Sequence, residues 1–569
     1  MKDRVPILLA LMLQKNIDAY IVSSEDEFQN ELPPQCNKRL QWLTSFSGSN
    51  GVALITKKKS ILFTDGRYLL QAREQLDEEL FTICDISNYE DTAAALKRLD
   101  INISYDPNIL SVNFIERWGK IAPGIKLLPL QGNLVDVIWQ RSRSLNTKSP
   151  MFLSMKYTGI STIDKIKLVT KNLNYDYVLI TIPTSVCWLL NIRGKDTDYT
   201  PIIMCYCLIK KDGSIELFSH LQTFKKHYEK LTLFPFLEYK QRFLNIVRLG
   251  CSVQFSTHTP IWFLHQCPQA YITRDPCEDL KSIKNAVELS GIEFSHRQDG
   301  VALLKLMKWM TSNIGNGITE MEIDQRLEEF KRLGNLYVHR SFATIAGFAK
   351  NGAIIHYQAK TTTNLKLSKQ SVFLLDSGSQ YKAGTTDVTR TFHFGSPTSE
   401  QKKHYTLVLK CLIKLSSLHF PKNTTGSQLD GVAREFLWQH GLDYPHATGH
   451  GVGHYLSVHE GPVAISKHCI VSLEENMVLS IEPGLYFNEE YGIRIENLVV
   501  VKASAFNNFL TFHTLTKVPI STNLIDYSLL HEQEIIWLKN YHENIFNELS
   551  PYLSLEERFF LQDIYKISG

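Results

Sequence analysis

Residues 371–390 read SVFLLDSGSQYKAGTTDVTR, an apolar run that ends in one acid and is followed by an alternating segment that carries a second. Asp376 closes the run Val372-Phe373-Leu374-Leu375, and Asp387 stands 11 residues later within Thr386-Asp387-Val388-Thr389-Arg390. The pattern predicts two facing strands. A carboxylate at the end of a buried strand is costly unless a cation compensates it. For two such acids the most effective compensator is a metal ion, so further ligands are expected elsewhere in the chain.

Three more candidates stand in strand-like or glycine-rich context. His450 lies in PHATGHGVGH (445–454), Glu482 in LSIEPG (479–484) and Glu496 in GIRIEN (492–497). Glu482 ends an apolar run before Pro-Gly, which places it beside a turn facing a cleft. Glu496 and Arg494 flank Ile495 and are expected on one face of a strand. Taken singly each acid also fits an ordinary turn, but together they cannot share a pocket without neutralisation, because each raises the others' pKa. Four carboxylates and one imidazole suit two divalent ions when some carboxylates bridge. A donor set of oxygen with one nitrogen and no thiolate favours Mn²⁺, with Co²⁺, Zn²⁺ or Fe²⁺ as alternatives, and it does not match a structural zinc site. His446 and His450 are four apart, but Ala447 and three glycines argue against a helical zinc pair.

The 569-residue chain is long enough for roughly three or four domains. With 61 basic against 58 acidic residues the formal charge is +3, too weak a field to draw the protein to nucleic acid or anionic lipid. The ten cysteines show no Cys-x-x-Cys spacing and read as reduced, mostly buried thiols of a cytoplasmic protein. The segment VPILLALML (5–13) superficially resembles a secretory core, but no small-residue cleavage site follows, and an amphipathic helix is expected there. No stretch reaches the roughly 18 apolar residues needed to span a bilayer.

In chain order, residues 1–147 predict an α/β domain and residues 148–278 a second of the same kind, suggesting related units without a close sequence repeat. Residues 279–505 predict an α+β domain that opens with two amphipathic helices, the second capped by Thr319 with Glu322. Residues 506–569 are expected to form a helical extension packed on it, with helices over 532–549 and after Ser554.

The motifs DSGSQYKAGTTDVTRTFHFG, HATGHGVGHYLSVHEGP, SIEPGLYF and GIRIENLVVV resemble the pita-bread-fold metallopeptidases, and within them the Xaa-Pro aminopeptidases of the long, three-domain cytosolic form. WLTSFSGSNGVALIT, FTDGRYLLQA, SVCWLLNIRG and LTKVPISTNLIDYSLL extend the resemblance over nearly the whole chain. It implies a pita-bread catalytic domain preceded by two creatinase N-terminal-like α/β domains, and a homodimer. It also implies that Asp376, Asp387, His450, Glu482 and Glu496 hold two Mn²⁺ ions, with Asp387 and Glu496 bridging. A water or hydroxide between the ions would cleave the first bond of peptides with proline at position two. Glu482 would carry the proton, and His356, His446 and His459 would act in catalysis and substrate binding. Phe342, Ile355, His446 and Arg494 are candidates for the proline slot, and Arg494 is alternatively expected to orient Glu496 and Asp387. His454 is expected to be non-catalytic. The chain departs from the family at Ala447, where Gly is common, and at Gly347-Phe348-Ala349-Lys350, where Gly, Ser and Pro are usual. The competing readings are a prolidase-type Xaa-Pro dipeptidase, the metal-free creatinase chemistry, and a non-catalytic pita-bread protein that binds peptides or histones.

Overall fold

A computed structural model describes residues 4–97, 101–141, 150–171, 173–221 and 228–564. The chain forms two compact units, one of residues 1–154 with 160–278 and one of residues 155–159 with 279–569. The expected junction at 147/148 lies outside the described residues.

The first unit contains two six-stranded sheets. One runs Phe81–Asp85, Ser60–Thr64, Val52–Thr56, Ala19–Ser23, Asn102–Tyr105, Lys126–Pro129. The other runs Leu231–Pro235, Ile215–Ser219, Cys205–Lys210, Tyr177–Ile180, Val253–Ser256, Tyr271–Thr273. In both, neighbouring strands pair in the order parallel, antiparallel, antiparallel, parallel, parallel. The two α/β layers are therefore one topology used twice, although their sequences show no close repeat. Central strands such as AYIVS and VALIT are buried on both faces and so are apolar throughout rather than alternating. Helix Arg4–Gln14 buries Val5, Leu8 and Met12. That one-sided spacing is the amphipathic helix expected over residues 5–13.

In the second unit, strand Val372–Tyr381 pairs antiparallel with Tyr337–Arg340, Ile345–Phe348 and Gly384–His393. A second sheet runs His419–Pro421, Phe509–Thr514, Asn497–Ala503, Val478–Ile481. Helix Glu320–Arg332 begins with the Thr319/Glu322 capping box, as its spacing predicts. Residues 509–514 correct one expectation: they fall within the expected helical extension, yet they form a strand on Asn497–Ala503. Phe509-Leu510-Thr511-Phe512 alternates in burial, and that two-residue period fits a strand with one face on the core and the other toward solvent rather than a helix. Beyond it, helix Glu532–Leu549 buries Leu538, Tyr541, Ile545 and Leu549 in the core that also holds Leu412 and Leu479. Ser554 and Glu557 exchange capping hydrogen bonds at the start of helix Leu555–Ile564. Among the described residues all ten cysteines are free thiols, seven of them buried. No described helix is long and apolar enough to cross a membrane.

Candidate metal centre

The hairpin Val372–Tyr381/Gly384–His393 positions the first candidate ligands. Its register places Asp376 opposite Thr389 and Gly378 opposite Asp387. Side chains directly opposite or two apart share a face, so Asp376, Asp387 and Thr389 stand on one side. The other side is held by a buried carboxylate: Asp299 accepts from Ser379 Oγ at 2.6 Å, Thr386 Oγ1 at 3.0 Å and Tyr381 hydroxyl at 3.3 Å. Opposite Asp387 only glycine fits. A Cβ on Gly378 would overlap the Ser341 hydroxyl, the Thr386 carbonyl and the ring of Phe342.

His450, Glu482 and Glu496 arrive from other segments. The backbone N–H of Glu482, just past strand Val478–Ile481, donates to Thr448 carbonyl at 2.8 Å. The Ser480 hydroxyl donates to Glu482 Oε1 at 3.1 Å and accepts the His450 N–H at 3.0 Å. His450 Nδ1 lies 3.0 Å from Gly451 carbonyl and donates to it, which turns Nε2 toward Asp387 Oδ2 at 3.5 Å and Glu482 Oε1 at 3.4 Å. Asp387, His450 and Glu496 offer ligand atoms within 4.8 Å of one another. Glu496 does not continue the strand of Arg494 as expected. Strand Tyr491–Arg494 ends, Asn497–Ala503 begins, and Glu496 occupies the break, where its N–H donates to Thr389 carbonyl at 3.1 Å.

Arg494 links the acids. Its Nη2 donates to Asp376 Oδ2 at 2.7 Å, its Nη1 to Tyr486 hydroxyl at 2.8 Å and its Nε to Thr389 Oγ1 at 3.1 Å. Thr389 in turn donates to Glu496 Oε2 at 2.8 Å. Arg494 thus reaches Glu496 through a threonine and binds Asp376 directly, rather than bonding Glu496 and Asp387. It is 1% exposed and directed inward, so it offers little surface to a ligand. Sequence reasoning misses Thr389 and Tyr486. The two-residue offset of Thr389 from Asp387 is a signal that could have found it, but Tyr486 depends on a contact between separate strands.

The histidines surround this set. His446 Nδ1 is 2.8 Å from Ala447 carbonyl and Nε2 is 2.8 Å from Tyr486 hydroxyl. Tyr486 accepts from Arg494 and so donates to His446. His459 is exposed, and its ring meets that of His450 edge-on, 4.4 Å between centroids. His454 is buried, with Nδ1 4.0 Å from Glu288. His356 is half-buried, between Ile355 and Tyr357. The Ile355 carbonyl accepts from Arg494 Nη2 at 3.4 Å, and a Cβ on Gly492 would overlap the Gly352 carbonyl, so the His356 loop closes against the Arg494 strand. Glu320 organises that loop, accepting from Phe348 N–H and Leu365 N–H at 2.8 Å each, Tyr357 hydroxyl at 2.9 Å and Asn351 Nδ2 at 3.0 Å.

The electrostatics favour a cation here. Burial, reinforced by Asp376 and Glu482, pushes Asp387 up to about 6 despite the His450 hydrogen bond. Burial and then the charges of Asp387, Glu482 and Asp376 hold Glu496 far above the usual carboxylate range. Burial alone would lower His450, but its hydrogen bond to Asp387 and the charges of Glu482 and Asp387 raise it to about 9. Asp376 Oδ1 and Glu496 Oε1 are buried without a hydrogen-bond donor. Orphaned carboxylate oxygens of this kind are rare unless an ion completes them, and a hard, oxygen-rich donor set with one imidazole fits divalent metal.

Fold and site define a metallopeptidase. Residues 290–503 match the metallopeptidase family M24, residues 508–565 its C-terminal region, and residues 4–140 and 142–288 two creatinase/prolidase N-terminal domains. The chain belongs to this family, within its Xaa-Pro aminopeptidase P group. It is 37% identical to a probable Xaa-Pro aminopeptidase P of Laccaria bicolor, covering 98% of this chain and 91% of that one. A probable Xaa-Pro aminopeptidase P of Coprinopsis cinerea is 36% identical, covering 97% and 95%. The crystal structure of X-prolyl aminopeptidase from Caenorhabditis elegans, described as a cytosolic enzyme with a di-nuclear active site, superposes with a TM-score of 0.95 at 31% identity over 99% of both chains.

Proposed function

We propose that this hydrolase removes the first residue from peptides with proline at position two, in the cytosol and as a homodimer, using two Mn²⁺ ions held by Asp376, Asp387, His450, Glu482 and Glu496. The observation that carries this reading is the convergence of His450 Nε2 on Asp387 and Glu482 beside the donorless oxygens of Asp376 and Glu496. Two bound divalent ions supply Lewis acidity toward the scissile carbonyl and a nucleophile at neutral pH.

The protein's own groups do the rest. Glu482 uses Oε1 toward Ser480 and His450, which leaves Oε2 to take a proton from the attacking water and pass it to the proline nitrogen. His459, exposed beside His450, donates to the oxyanion, and His356 hydrogen-bonds the substrate backbone. Asp376 meets the substrate ammonium, which restricts action to the amino terminus. Phe342, Ile355 and His446 form the slot for the proline ring, while Arg494 holds Asp376 and Glu496 in place from beneath. The reading also divides the chain into domains at residues 1–147, 148–278 and 279–505 with a C-terminal extension.

The test is hydrolysis of an Arg-Pro-Pro peptide after chelation and after Mn²⁺ is restored. Release of arginine only with metal is expected. Turnover of Xaa-Pro dipeptides but of no longer peptide would refute the assignment in favour of a dipeptidase, and full activity in Asp387→Ala would refute the two-metal site.

A further inference from the structure

A buried ion cluster lies outside the ligand set. Lys284 Nζ is 2.7 Å from Glu460 Oε1 and Lys281 Nζ is 3.2 Å from Glu460 Oε2, so each carboxylate oxygen has its own ammonium. The three side chains are 2%, 5% and 2% exposed, respectively for Lys284, Lys281 and Glu460. Desolvating three charges is expensive, and breaking such a cluster by removing one partner leaves an uncompensated buried charge. The lysines sit on a segment tied to the strand that leads to Glu482: Ile283 bridges Met477, and Lys284 N–H donates to Asn476 carbonyl at 3.0 Å.

Glu460 connects this anchor to the metal centre by its backbone. Its N–H donates to Gly451 carbonyl at 2.8 Å, and the same carbonyl accepts His450 Nδ1 at 3.0 Å. Gly451 N–H donates onward to Val463 carbonyl at 3.0 Å. His459 immediately precedes Glu460 and lies against the His450 ring. We infer that Glu460, clamped by Lys281 and Lys284, is the positioning residue that fixes the Gly451 carbonyl, so that His450 donates from Nδ1 and presents Nε2 to the metal while His459 is held beside it. The inference rests on the proposed metal centre. It adds a role for three residues that touch neither metal nor substrate. Partners that orient a ligating histidine through its other nitrogen typically change metal affinity or activity by about 10–100-fold when removed.

Lys284→Met and Glu460→Gln are compared with the wild-type chain by Mn²⁺ calorimetry, by kcat and KM on an Arg-Pro-Pro peptide, and by amide hydrogen exchange across residues 449–463. The expected result is Mn²⁺ binding weakened at least about tenfold and kcat reduced at least about tenfold, with KM within about threefold and exchange across the segment accelerated. A folded Lys284→Met protein whose Mn²⁺ affinity and kcat stay within about twofold of wild type overturns the inference, even if its melting midpoint falls, because the cluster then serves stability alone. If Glu460→Gln does not fold, Lys281→Met retains the Lys284–Glu460 pair and is expected to weaken Mn²⁺ binding at least about threefold. Wild-type protein that takes up no Mn²⁺ would overturn the Mn²⁺ assignment of the metal centre instead. Exchange would then decide the anchoring on its own: faster exchange in Lys284→Met supports it, and unchanged exchange overturns it.

Discussion

Arg494 Nη2 donates to Asp376 Oδ2 at 2.7 Å inside a protein interior where both side chains are buried. The same guanidinium serves Tyr486 and, through Thr389, Glu496. A lysine ammonium at this position could not span three directions at once. Arg494→Lys is therefore expected to lower kcat/KM by about 10–100-fold in Mn²⁺-saturated enzyme. Activity within about threefold of wild type in steady-state assays would show that the network does not orient the acids.

Metal binding should release protons. In the metal-free chain His450 is raised from 6.5 to about 9. Its contribution to folded stability is complete below about pH 6.5 and is lost as pH rises toward 9, because the folded state holds that proton more tightly than the unfolded chain. Asp387 is raised from 3.8 to about 6, so its protonated form favours the folded state only at low pH, and this contribution is lost between about pH 4 and 6. A ligating histidine must shed its proton. Calorimetry in two buffers of different ionisation enthalpy at about pH 7.5 is expected to register release of at least about one proton per chain, and affinity should rise about tenfold per pH unit from about 6.5 toward 9. Binding without proton release would contradict this electrostatic account.

Glu320 gathers donors from Phe348, Asn351, Tyr357 and Leu365 around the His356 loop. Glu320→Gln replaces one acceptor oxygen with a donor, leaving a buried N–H or O–H unsatisfied at a cost of about 1–3 kcal/mol. Faster amide exchange over residues 348–365 and a lower kcat are expected, with Mn²⁺ content unchanged. Loss of Mn²⁺ in this variant would place Glu320 in the support of the metal centre instead.

Ala349 stands at φ 50°, in the left-handed region. Its Cβ costs about 1–2 kcal/mol there. Against the extra chain entropy of glycine, about 0.5–1 kcal/mol, Ala349→Gly is expected to stabilise the protein by up to about 1.5 kcal/mol, read as a raised thermal midpoint. A lower midpoint would mean that the methyl group packs favourably enough to outweigh the strain.

Local chemistry made much of this protein legible from its residues. The hairpin of Asp376 and Asp387, the Thr319 cap and the helix over 5–13 follow from periodicity and capping, which act over a few residues. The two N-terminal sheets were visible as successive α/β patterns. Their shared strand order was not, because pairing joins strands such as Ala19–Ser23 and Asn102–Tyr105 that are far apart in the chain. The five proposed ligands were legible as acids and an imidazole in strand-end and glycine-rich contexts. What only the tertiary structure decided is how they are held. Glu496 stands in a strand break, Arg494 turns to Asp376, and Glu460 reaches His450 through the Gly451 carbonyl. These arrangements depend on burial and on hydrogen bonds between distant segments, which no local pattern encodes.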